Sequence, residues 1–65
     1  MRGRDIRALR KQKKITQAEL RRAIGRSGEW LVAVENEQVL PLPEDEEAII
    51  LKIHELSSAR QEAAA

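Results

Sequence analysis

The segment from Ile15 to Asn36, ITQAELRRAIGRSGEWLVAVEN, constrains this chain most, because it carries two helix starts with one helix stop between them. Thr16 can cap a helix whose third position, Glu19, reaches back to close a capping box, and Ile15 before the cap can staple onto Leu20. That helix continues through Ala23 and Ile24 and meets Gly25, which takes the left-handed conformation without Cβ strain. Only Arg26 then precedes a second cap, Ser27, with Glu29 in the first turn where the helix dipole favours an acid. Leu31, Val34 and Glu35, at i, i+3 and i+4, define the inner face of this helix, which ends near Asn36. Two short helices joined by a tight turn are therefore expected at the centre of the chain.

The flanks read at the same period. A first helix is predicted from about Arg4 to Lys13, with Ile6, Leu9 and Arg10 facing inward. Pro41 and Pro43 bias Leu40 and Leu42 towards extended backbone, so 38–43 is expected to be a linker with apolar residues to bury. A fourth helix follows, with Pro43 near its first position, the acids Glu44, Asp45, Glu46 and Glu47 in its first turn, and Ile49, Ile53 and Leu56 as its inner stripe. Beyond Ser57 the chain turns polar and then to alanine, so the tail 58–65 is not expected to hold a fixed structure. Strand-type alternation is absent, and the fold class is all-α: a compact four-helix domain spanning 1–65.

Size agrees with one domain. Of 65 residues 42% are apolar, but nine are alanine, leaving roughly 18 larger side chains for a core. The absence of cysteine excludes disulfides and thiolate zinc sites and favours a cytoplasmic location. No apolar stretch suits a signal peptide or a membrane span, so neither is expected. Ser27, Ser57, Ser58, Asp5 and Asp45 offer no base and orienter around a nucleophile. There is no glycine-rich phosphate loop, and the lone His54 has no companion ligand. The reading is a protein that is not an enzyme and carries no cofactor or metal.

A net charge of +1 hides an asymmetry. Up to Arg26 there are ten Lys/Arg against Asp5 and Glu19, and after it two against nine, so the halves carry about +8 and −7. The basic half, with Arg2, Arg4, Arg7, Arg10, Lys11, Lys13, Lys14, Arg21, Arg22 and Arg26, can neutralise several phosphates. No aromatic side chains interleave with these bases, which argues against stacking on single strands.

Thr16, Gln17, Leu20, Ile24, Gly25, Ser27, Leu31, Val34, Glu35 and Asn36 fall in the register of a known pattern: Thr-Gln opening a helix, Leu four residues after the Thr, a turn Gly, a Ser or Thr cap, and apolar-Glu-Asn closing a second helix. From Arg4 to Leu56 the chain resembles the Cro and lambda-repressor (Xre-like) helix-turn-helix family of DNA-binding transcriptional regulators. The resemblance implies a helix-turn-helix at the second and third helices, duplex DNA as partner, and a homodimer presenting two third helices to successive major grooves. It also implies that Arg10 pairs with Glu35 and that Gln17 donates to a phosphate beside exposed helix N–H groups. Together with the basic half it makes Arg7, Arg10, Lys11, Gln17, Arg22, Arg26 and Ser27 the expected phosphate contacts, with Gly28, Glu29, Trp30, Val32 and Ala33 facing the bases.

Three departures stand against the pattern. Arg21 occupies a position that is usually small, and Arg26 one that is usually apolar. The base-facing set holds no Arg, Lys, Gln or Asn, so bidentate readout of guanine or adenine is missing. Trp30 reads either as a core tryptophan at the edge of the bundle or, lying roughly 100° from Leu31 on the helix wheel, as an exposed anchor. With Val32 and Ala33 it suits an alternative function, in which the same scaffold binds a protein as an adaptor, antirepressor or inhibitor.

Overall fold

The structure, a computed structural model, describes residues 2–64. Four helices follow in order: α1 Gly3–Gln12, α2 Gln17–Ile24, α3 Gly28–Glu35 and α4 Pro43–Ala64. The first three begin where a side chain supplies a hydrogen-bond partner at the helix start. Before α2, Thr16 Oγ1 accepts from Glu19 N at 3.1 Å, while the Glu19 carboxylate accepts from Thr16 N at 3.3 Å, completing the expected box. Ser27 Oγ accepts from Trp30 N at 3.1 Å at the start of α3. Asp5 plays a similar part for α1, accepting from Arg2 N at 3.0 Å. Gly25 ends α2 at φ 71 and ψ 31, and its N–H donates to the Arg21 carbonyl.

The inner stripes meet in one core of Ile6, Ile15, Leu20, Leu31, Val34, Ile49 and Ile53, each at most 2% exposed. Leu9, Ile24, Trp30 and Leu56 pack around it. Burying a side chain of this size contributes about 1.5 to 3 kcal/mol, so seven of them, from all four helices and the α1–α2 connection, make up the main cohesive term. α1 packs on α3 and α4, and α2 packs on the same two helices.

Two glycines set how closely these helices approach. A Cβ on Gly3 would lie 1.9 Å from the Val34 carbonyl oxygen, so the start of α1 rests directly on the backbone of α3. A Cβ on Gly28 would lie 3.3 Å from Arg21 Cδ. The large residue at 21 is thus accommodated by the missing side chain at 28, and the Arg21 stem lies across the start of α3.

Two expectations are corrected. The helix α4 does not give way near Ser57 but continues to Ala64. Arg60 donates to the Lys14 carbonyl and to the Glu19 carboxylate, which ties the late turns of α4 to the α1–α2 connection. In the linker, Leu40 is 91% exposed, Leu42 59% and Val39 38%, so the apolar residues expected to be buried there face outward. After α3 the chain folds back on itself, with Gln38 N and Val39 N donating to Ala33 O at 2.8 and 3.3 Å, and the core is already closed by the four helices. Among the described residues no helix is long and apolar enough to cross a membrane.

Candidate nucleic-acid interface

An open groove of about 440 Å³ runs where α1, the start of α2 and the outer side of α3 meet. Arg7, Arg10, Thr16, Gln17, Val32, Glu35 and Asn36 line it. Its floor is built by a buried ion pair. Arg10 Nε donates to Glu35 Oε2 at 2.8 Å and Arg10 Nη2 to Glu35 Oε1 at 2.9 Å, the two parallel bonds of a fork-to-fork pair. Arg10 Nη1 donates to the Ile15 carbonyl at 2.9 Å and Gln17 Nε2 to Glu35 Oε1 at 3.2 Å. Among the described residues no buried side-chain nitrogen or oxygen lacks a partner, so burying this pair leaves no orphan group.

That geometry gives the expected Arg10–Glu35 pair and withdraws Arg10 from the phosphate contacts. An arginine 7% exposed, with all three nitrogens holding groups of its own chain and its charge paired with Glu35, serves as the groove's floor rather than as a free cation. Gln17 is half-buried and commits one amide N–H to Glu35, leaving the second. Arg26 is also engaged. Its Nη2 donates to Asp45 Oδ1 at 2.9 Å, and its guanidinium carbon stands 4.6 Å from the centre of the Trp30 ring, so it is drawn towards the acidic start of α4 rather than standing free beside the turn. The Ser27 hydroxyl caps Trp30 N and keeps its own hydrogen to donate.

Arg7 and Lys11, by contrast, are exposed on α1, and Arg4 shares their face at i, i+3 and i+7. Arg22 is exposed on α2. Of these four exposed bases, Arg7 also lines the groove.

On α3, Glu29 and Val32 are exposed, whereas Gly28, Trp30 and Ala33 are half-buried. Trp30 follows the first of its two readings: the indole packs against the core with Arg26 over it, and it is not the bare anchor that the protein-binding alternative needs. A residue that the sequence pattern reads only as a helix end lies in the groove instead. Asn36, at the end of α3, is exposed four residues on from Val32, hence on the same side of the helix, and it supplies the amide that the base-facing set lacks. The helix wheel pairs Asn36 with Val32, but its place in the closing Glu-Asn reads as an end signal only.

One titration is displaced near the groove. The Arg60 guanidinium, hydrogen-bonded to Glu19, holds that carboxyl below the usual glutamate range, and the bond from Thr16 N acts in the same direction. Glu19 is thereby kept charged and neutralised beside the start of α2. His54 is exposed on α4 and does not line the groove, and no group of three or more His, Cys, Asp and Glu among the described residues could hold a metal ion. No family model matches the chain, and neither a curated protein nor a solved structure does.

Proposed function

We propose that the protein is a small transcriptional regulator that binds duplex DNA, with α2, the turn at 25–27 and α3 acting as a helix-turn-helix. The observation that carries this reading is the groove itself: it brings Arg7, the open start of α2, and Val32 with Asn36 on the outer side of α3 onto one surface. Arg4, Arg7, Lys11 and Arg22 meet phosphates, and the N–H groups at the start of α2 with the second amide hydrogen of Gln17 add neutral donors. Asn36 reads an adenine edge and Val32 touches a thymine methyl, which gives modest sequence preference over a largely electrostatic affinity. Two copies present their α3 helices to successive major grooves.

Selection of preferred duplexes followed by gel-shift titration of Asn36→Ala tests the assignment of roles. Loss of a bidentate contact costs about 1 to 3 kcal/mol at one base pair and leaves affinity for random duplex unchanged. Equal binding of wild type and variant to the selected duplex would remove Asn36 from the interface. A chain that shows no preference and no affinity for any duplex would overturn the function.

A further inference from the structure

A second cavity, of about 640 Å³, opens between the α1–α2 connection and the late turns of α4. Gln12, Lys13, Lys14, Ser57, Arg60 and Gln61 line it. All six side chains donate hydrogen bonds, three are cations, and no carboxylate is among them. Glu19 touches Arg60 from outside this lining, so the cavity keeps the charge of both lysines in excess.

The backbone here is held in place. Lys14 sits at φ 58, a left-handed conformation that a lysine adopts only at a cost. It is fixed by Lys14 N donating to Lys11 O at 3.0 Å and by Arg60 donating to the Lys14 carbonyl. A non-glycine residue kept in this region by a neighbour that also lines the cavity marks a segment whose side chain matters, since glycine would relieve the strain.

We infer that this cavity is a phosphate site, formed by Lys13 and Lys14 with Ser57 and the two glutamines as neutral donors, beside Arg60, whose guanidinium is already taken up by the Lys14 carbonyl and Glu19. A phosphate brings several strong acceptor oxygens on a compact anion, which matches a ring of donors better than a single carboxylate does. The phosphate belongs either to a small phosphorylated molecule or to a nucleic-acid backbone, and the site stands whether or not α3 reads DNA.

Titration of the intact protein with inorganic phosphate, followed by backbone amide NMR against sodium chloride at matched ionic strength, tests it. Amides of residues 12–14 and 57–61 are expected to shift saturably with phosphate and not with chloride. Lys14→Gly removes one charged donor while relieving the left-handed strain, so it keeps the fold and raises the phosphate midpoint by about tenfold. Lys52→Ala, which removes the same charge outside the cavity, leaves the midpoint unchanged. Non-saturating shifts, equal shifts with chloride, or equal effects of the two variants overturn the site. Given a site, duplex binding assigns its source: Lys14→Gly weakens duplex affinity if the phosphate is a backbone group and leaves it unchanged if the ligand is a small phosphorylated molecule.

Discussion

Arg10 and Glu35 join α1 to α3 through two parallel hydrogen bonds of 2.8 and 2.9 Å, with side chains 8% and 1% exposed. The carboxylate also accepts from Gln17, so one residue of α3 gathers donors from α1 and from the start of α2. A buried pair of this kind adds little over an apolar one of equal volume, but removing one partner strands the other charge. Glu35→Ala and Arg10→Ala should each cost about 3 to 5 kcal/mol, enough to unfold much of a domain this small. Thermal melts of both and of the double variant check this. The double variant should be far more stable than the sum of the two losses, whereas simple additivity would mean no coupling.

Gly3 and Gly28 should separate under the same substitution. Gly3→Ala drives a Cβ into the Val34 carbonyl, which cannot move without shifting α3, and should cost about 1 to 3 kcal/mol. Gly28→Ala meets only the flexible Arg21 stem, and the better helix propensity of alanine offsets the crowding, so stability should change by less than about 0.5 kcal/mol. Denaturant midpoints of the two variants decide whether backbone contact or side-chain contact sets the helix spacing.

Glu19 predicts a pH dependence of known sign. Its carboxyl titrates below the unfolded value because Arg60 and Thr16 N bind the charged form. The stability it contributes is present in full above the ordinary glutamate value, about 4.3, and is lost as pH falls through the depressed folded value. Glu19→Gln should flatten that part of the acid limb in melts between neutral and acid pH. An unchanged acid limb would mean that the Arg60 contact does not form in solution.

Local chemistry explains why much of this was legible. The Thr16 box, Gly25 and the Ser27 cap each depend on residues at most six positions apart, and each stands where its spacing requires. The Arg10–Glu35 pair is 25 positions apart, yet both residues lie on stripes that must face the core, so its partners were legible from helical period together with the family resemblance. Arg60 was not. Its reach to Lys14 and Glu19 exists only once α4 is laid against α2, and nothing in the polar run after Ser57 signals it. Leu40 and Leu42 mislead for the opposite reason, since an apolar residue before a proline signals burial only if the core has room. The helix wheel alone leaves Trp30 open between core edge and surface, because Arg26, which covers it from the preceding turn, does not lie on the wheel of α3.

The central claim is that duplex DNA is held by the exposed basic side chains of α1 and α2. Anisotropy titration of a labelled random duplex between about 50 and 200 mM salt tests it most directly. With Arg4, Arg7, Lys11 and Arg22 as the contacts, log K should fall against log salt with a slope of about −3 to −4. Arg7→Ala or Arg22→Ala should reduce that slope by about one and weaken all duplexes alike. Absence of binding at the lowest salt, or a slope near zero, would contradict the account.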